Sequence, residues 1–286
     1  LKIGQIVNIE KSITFGQKIS GHYVQGHVDT TAKVLKIKLI DKSWVLSLKI
    51  TNSNFLESTH KAIKSDHSLS VDFKNLLVYQ GAGGISVEAG EFASIINVNV
   101  NEVGGTGISI TNNVGDSLVV DSCTVTQNDG DGVVAYLETD AHFLKVTNNI
   151  ITSNAFSGLV LNGGKNGVIK NNTISNNSKG GWFEHLSNVE IKNNDFIGNS
   201  PGGGFYMKNG NGKIINNVVR YNKNEHSDFS NGWYRAGMSF NTIGSSDVDS
   251  NIVSDNEYEI YTFNNSNGDN SNLVFNKLFS PISITG

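Results

Sequence analysis

The sequence predicts an all-β chain: a right-handed parallel β-helix of about nine coils over residues 76–286, preceded by a short β segment of different character. Two observations carry this. The first is a repeat, in which Gly followed by an apolar–x–apolar triplet recurs at Gly84, Gly107, Gly132, Gly158, Gly181, Gly204 and Gly237. Successive positions differ by 23, 25, 26, 23, 23 and 33. Weaker copies without the Gly follow at Ile260-Tyr261-Thr262 and Ile282-Ser283-Ile284. A second column holds Cys123, Asn149, Asn172, Asn194, Asn217, Asn251 and Asn276. Five residues after the first six of these stand Asn128, Asn154, Asn177, Asn199, Asn222 and Asn256. A fixed period of this length marks a solenoid.

The second observation is a period of two inside each repeat. Val120, Val146, Ile169, Ile191, Ile214, Val248 and Leu273 lie three residues before the second column, and Val125, Ile151, Ile174, Phe196, Val219, Val253 and Leu278 lie two after it. Short alternating segments separated by Asn, Ser and Gly read as half-buried strands joined by tight turns. Stacked in register, they wind right-handed by the handedness rule for parallel crossovers. An inward Asn at each turn then bonds to its counterparts above and below, satisfying a polar group whose burial would otherwise cost a few kcal/mol. Asn also tolerates the left-handed backbone such turns require.

The 286 residues carry a net charge of −4, and 17% are charged, a balance that points to neither nucleic acid nor an anionic membrane surface. No apolar run approaches the roughly 20 residues a membrane span needs. The single cysteine, Cys123, falls in the Asn column and reads as core. Asp129-Gly130-Asp131-Gly132 and Asn267-Gly268-Asp269 read as turns rather than metal loops, and His142, His185 and His226 are too scattered to suggest a metal cluster. No metal or cofactor is expected. The chain starts without Met and within a strand-like segment, so it reads as a fragment, or as a mature or engineered product.

Composition breaks near residue 50. The first 50 residues hold one Asn and eight Lys, whereas 38 Asn follow. Within them, Leu1 to Glu10 (LKIGQIVNIE) and Ser20 to Ala32 (SGHYVQGHVDTTA) closely resemble riboflavin synthase. The resemblance implies strands of a lumazine-binding barrel, with lumazine contacts at His22 and His27 and a cytoplasmic setting. It stops near Ile50, without the strands that complete a barrel and its two-barrel site, so riboflavin synthase activity is not expected. Residues 1–50 read as a relic or as a cap for the exposed end of the solenoid. Residues 51–75 read as a junction, with a short helix at Phe55–Asp66 placing Leu56, His60 and Ile63 on one face.

Function should lie on the outward positions, which alternate with the core. Taken from the Gly columns, the triplets place Tyr136, Phe183, His185, Tyr206 and Lys208 along one line, so aromatics and bases cluster on the middle coils. Exposed aromatics in line need something to cover them, and sugar rings stack on such platforms. Roughly ten extra residues between Asn222 and Gly237 form a long loop carrying Glu225, His226, Asp228, Trp233, Tyr234 and Arg235. Insertions in solenoids gather on one face, often the binding face. A smaller excess lies at Glu138–His142. Glu184 occupies a column otherwise apolar. Either this coil slips register and turns Phe183 inward, or a carboxylic acid is held partly buried with a raised pKa, suited to a general acid.

The coil pattern N-N-x-I-x-x-N followed by Gly–apolar–x–apolar resembles the pectate-lyase-like superfamily of right-handed β-helices. That group holds polysaccharide lyases, polyuronate epimerases, glycosidases, phage tailspikes and adhesins, and it implies an extracellular or periplasmic setting and a glycan partner. No Asp-Pro-His epimerase motif and no polygalacturonase set occurs, so no catalytic residue transfers by motif. Three readings follow. A lyase or epimerase needs a cation, Lys208 or Arg235, and a base, His185, His226 or Tyr206. A hydrolase needs facing carboxylates, Glu184 with Asp228 or Glu225. A non-catalytic adhesin or tailspike module needs only the aromatic line, with Tyr136, Phe183, Trp233, Tyr234 and Asp228 as substrate contacts.

Overall fold

The computed structural model describes residues 2–9, 30–40, 43–112, 117–137, 143–223, 236–241, 246–263 and 273–275. Among them there are strands and turns and no helix. Strand β1 (Ile6–Ile9) pairs antiparallel with β2 (Thr30–Ile40), and β2 pairs antiparallel with β3 (Ser43–Leu56). From β3 onward every pairing is parallel: β3 with β4 (Lys61–Tyr79), and β4 with β5 (Gly83–Asn101). The short helix expected at 55–66 is therefore a strand end, a turn at 57–60 and the start of β4. Its apolar residues follow the period-two packing of the stack: Ile63 is buried and Leu56 exposed.

After β5 each coil breaks into three short strands. The first face stacks Ile108–Asn112, Val133–Leu137, Ser157–Asn162, Lys179–Glu184, Phe205–Lys208, Ala236–Asn241 and Tyr258–Phe263. The second runs from Ser117–Asp121 to Leu273–Phe275, and the third from Thr124–Thr126 to Ile252–Ser254. Among the described residues, complete coils extend from Lys61 to Ser254, with strands of one more after them. Inward positions of all three faces merge into one core, filled by Ile, Val and Leu and, in the middle coils, by Phe183, Phe196, Phe205 and Phe240. Ala32 and Ile50 of the N-terminal strands join that core.

Two buried Asn ladders hold the corners. Nδ2 of Asn149 donates to Oδ1 of Asn172 at 2.8 Å, and the chain of bonds continues through Asn194 and Asn217 to Asn251 at 2.9–3.0 Å. The second ladder runs Asn128, Asn154, Asn177, Asn199, Asn222 and Asn256. Each interior amide uses its whole capacity. Asn172 accepts at Oδ1 from both the backbone N and Nδ2 of Asn149, and its Nδ2 donates to Asn194 Oδ1 and to the Val146 carbonyl. Cys123 begins the first ladder, its backbone N donating to Asn149 Oδ1 at 2.8 Å. Burial pushes its thiol up to about 12. In the first ladder the left-handed residues are not the ladder Asn but those just before them, among them Asn148, Asn171, Asn193 and Asn216, with φ of 54–57°.

The Gly column is steric. A Cβ on Gly158 would stand 2.5 Å from Ile174 Cγ2 and 2.7 Å from Asn177 Nδ2, both fixed by core and ladder. Gly158→Ala is expected to cost about 1–3 kcal/mol, the usual range for overpacking. Thermal unfolding checks it, and an unchanged midpoint would mean that the corner relaxes freely.

On the second face, Asp121 combines burial with bonding. Burial pushes its carboxyl up, but Thr147 Oγ1 and Asn148 Nδ2 donate to it at 2.5 and 2.8 Å and Lys145 lies at 3.6 Å, leaving it below the usual carboxylate value. A depressed folded pKa adds stability that is present above the unfolded value, about 3.9, and is lost as pH falls through the folded one. Asp121→Asn should therefore flatten the acid limb of a stability–pH curve. Superimposable limbs would refute this.

Candidate functional site

Outward residues of the first face stack in two parallel rows. One reads Ser109, Val134, Val160, Trp182, Tyr206 and Ser239; the other reads Thr111, Tyr136, Asn162, Glu184, Lys208 and Asn241. Neighbours within a row sit on adjacent coils about 4.8 Å apart, the spacing of hydrogen-bonded strands. The second row thus brings an aromatic ring, an amide, a carboxylate and an ammonium together on four successive coils.

Register explains the main difference from the sequence reading. Gly180, not Gly181, stands in the Gly column: Leu159 pairs with Gly181, and Gly181 with Phe205. This one-residue slip puts Phe183 between Leu161 and Met207, fully buried, with its ring centroid 5.2 Å from Phe205 and 6.4 Å from Phe196. Phe183 is therefore a core residue and not a substrate contact. Glu184 turns outward, which removes the alternative of an acid held in the apolar column. Trp182 takes the outward place, and sequence reasoning missed it. The signal was present, since a carboxylate in an apolar column is itself evidence of slip.

Tyr206 also differs. It faces outward as expected but is only 7% exposed. Its ring lies 4.3 Å from that of Trp182 at 40°, and its hydroxyl accepts from Asn241 Nδ2 at 3.3 Å. Trp182 Nε1 donates to Glu184 Oε1 at 3.0 Å, fixing both side chains. Lys179, at the start of the same strand, places its ammonium 4.9 Å from the centre of the Trp182 ring. Tyr136 is 52% exposed and stands in the second row between Thr111 and Asn162.

His185 occupies the turn beyond Glu184 with φ of 55°. Asn209 Nδ2 lies 3.2 Å from its Nε2, and its Nδ1 lies 3.2 Å from Asn162 Oδ1. The amide NH₂ can only donate, so Nε2 accepts and Nδ1 carries the hydrogen in this arrangement. The His185 backbone N donates to the Lys208 carbonyl at 2.9 Å, which sets the imidazole beside the coil that carries Lys208. His226, Asp228, Trp233, Tyr234 and Arg235, like Glu225, His22 and His27, lie outside the described residues. Among the described residues no group of His, Cys, Asp and Glu is arranged to hold a metal ion.

A family model described as "Right handed beta helix region" matches residues 37–183 and 136–284, together most of the chain. The chain belongs to the right-handed β-helix family. Two further likenesses concern parts or outline. Over 78 residues, 27% of this β-helix chain, it is 30% identical to riboflavin synthase of Buchnera aphidicola subsp. Schizaphis graminum. Over 57 residues, 20% of the chain, it is 35% identical to the Escherichia coli riboflavin synthase. The chain spans only 38% and 27% of the length of those relatives. Among solved structures it is similar to the A-module of a mannuronan C-5 epimerase of Azotobacter vinelandii. That likeness has a TM-score of 0.48 and 14% identity and covers 83% of this chain and 79% of that one.

Proposed function

We propose that the β-helix binds an extended polysaccharide along the row Tyr136, Asn162, Glu184 and Lys208. One observation carries this reading: ring, amide, carboxylate and ammonium stand in register on four consecutive coils. A glycan laid along the axis would meet a stacking surface at Tyr136 and then hydrogen-bonding groups one coil at a time. Polar groups with fixed partners suit such a ligand, because Trp182 holds Glu184 and Asn162 and Asn209 hold His185, which lowers the cost of ordering them on binding. Tyr136→Ala and Lys208→Ala are each expected to weaken retention on a glycan column about tenfold, or about 1.4 kcal/mol. Unchanged retention of both variants would sink the site.

A second reading, that the groove also processes uronates, is favoured by the adjacency of Lys208 and His185. In β-elimination a base takes the C5 proton, its electron pair forms the C4–C5 double bond, and the O4-linked chain leaves. Lys208 would neutralise the carboxylate that acidifies C5, and Nε2 of the imidazole, giving up its bond from Asn209, would take the proton. The unsaturated product absorbs near the ultraviolet edge. A rise in absorbance with a polyuronate panel that His185→Ala abolishes supports catalysis. No rise, with binding intact, leaves a binding or adhesin-type module.

For residues 1–50 we propose a cap rather than an enzyme. The support is that β2 lies antiparallel on β3, and Ala32 and Ile50 sit in the solenoid core. Incubated with the lumazine substrate of riboflavin synthase, the purified chain is expected to form no riboflavin. Measurable turnover would overturn the proposal.

A further inference from the structure

The third face changes character along the solenoid axis. In the earlier coils its outward positions carry hydroxyls, with Ile150 the exception: Thr124 and Thr126, then Thr152, then Thr173 and Ser175. Apolar inside and polar outside is the pattern of a sheet with one face in water. From the next coil on, the same positions hold Asp195 and Ile197, Val218 and Arg220, then Ile252 and Ser254. Ile197, Val218 and Ile252 are only half-buried, and Tyr221, at the corner beyond Arg220, is 54% exposed. Ile197 and Val218 stand on a diagonal of adjacent coils, and Ile252 follows Val218 in register, so the apolar surface is continuous. Nothing in the fold requires it, because the earlier coils stack equally well with hydroxyls in those places.

Two charges in the same patch lack partners. Burial alone pushes the Asp195 carboxyl up, with no hydrogen bond and no nearby cation acting the other way. Nε of Arg220 is buried and donates to no acceptor among the described residues, whereas most buried polar atoms in folded proteins are bonded. Arg220 lies one coil and two residues along from Asp195, yet the two do not pair. An acid and a base set so close, each unpaired, make a surface complementary to itself. Across a two-fold axis residue i meets residue j, and j meets i. Each Asp195 can then face the partner's Arg220, while Ile197, Val218 and Ile252 are covered. A partner presenting one sign of charge would satisfy one of the two groups and repel the other.

We infer that the third face, over the coils from Asp195 to Ser254, is the contact surface of a two-fold homodimer. The glycan row lies on the first face, a separate surface.

The test is the oligomeric state of the whole chain, measured by sedimentation equilibrium over a range of concentrations. Wild type is expected to dimerise reversibly. Asp195→Arg and Arg220→Asp each set like charges against one another across the axis and should weaken association at least about tenfold. The double variant exchanges the two charges and should restore the dimer. Thermal midpoints show whether each variant folds. Where a charge reversal unfolds the chain, Arg220→Gln and Val218→Thr, which introduces the hydroxyl of the earlier coils, take its place and should weaken the dimer in the same direction. A wild type that is monomeric at every concentration overturns the inference, and so does a dimer that none of these single changes weakens. A folded double variant that stays monomeric overturns it as well, since the pairing of Asp195 with the partner's Arg220 would then be wrong.

Discussion

Asn172→Ala is expected to destabilise the chain by about 2–6 kcal/mol, a large share of the roughly 5–15 kcal/mol typical of a folded domain. Asn172 is 1% exposed and sits mid-ladder. Truncation leaves the backbone N and one Nδ2 hydrogen of Asn149 without their acceptor, and takes one donor from the Val146 carbonyl. Each orphaned buried donor costs about 1–3 kcal/mol, more than the net worth of the bond it made. Methylene loss and the small void add to this. Thr173, the next residue, points outward, and Thr173→Ala should stay within about 0.5 kcal/mol, as ordinary surface changes do. Urea midpoints of the two variants compare them directly. A loss below about 1 kcal/mol for Asn172→Ala, no more than the net worth of one ordinary bond, would mean that water enters and replaces the amide. The ladder would then be dispensable.

That ladder is the part of the fold most open to reading, because its cause is local and repeated. Burying a polar corner side chain in every coil is tolerable only if each is bonded to the next, so the chemistry forces the same residue at the same offset. The Gly column is legible for a similar reason, since the backbone of each coil presses on the next at that corner. Residues 51–75 were not legible. In β4 the register shifts between Ser65 and Ser68 and again between Ser68 and Ser70, so two irregular steps blur the period that marks later coils. The inward column there holds Ser53, Leu76 and Val98 where later coils hold Cys and Asn, so the motif had no anchor. The spacing of Leu56, His60 and Ile63 gave an apparent helical face where one strand ends, the chain turns and the next begins.

The site was half legible for a different reason. Its outward residues follow from the inward columns only while the count is right, and one extra or missing residue reverses every side chain from there to the next turn. Lys179-Gly180-Gly181-Trp182 offers two glycines for one column. The sequence alone ties the choice to Glu184, whose charge argues for the slip. Tyr136 and Lys208 fall in coils without that ambiguity and stand outward as expected, whereas the burial of Tyr206 depends on contacts with Trp182 and Asn241 that no period encodes.

The register assignment has its own decisive consequence. Phe183→Ala is expected to cost about 3–5 kcal/mol, the range for emptying a buried Phe site. The ring is fully buried and packs edgewise or tilted against Phe196 and Phe205, which in turn touches Phe240. These rings cannot collapse into the space without breaking the in-register backbone on which they are mounted. Trp182→Ala, one residue earlier, removes a half-buried ring packed on Tyr206 and should cost less, because a site on the outward face leaves no closed cavity behind. Binding should rank the two the other way. Trp182→Ala removes the indole N–H that holds Glu184 and should impair glycan retention, while Phe183→Leu, which keeps the core filled, should leave it unchanged. A coil set one residue differently would reverse both orders. Measuring thermal midpoints and retention for the two positions together therefore tests the slip, and a Phe183→Ala variant as stable as Trp182→Ala would refute it.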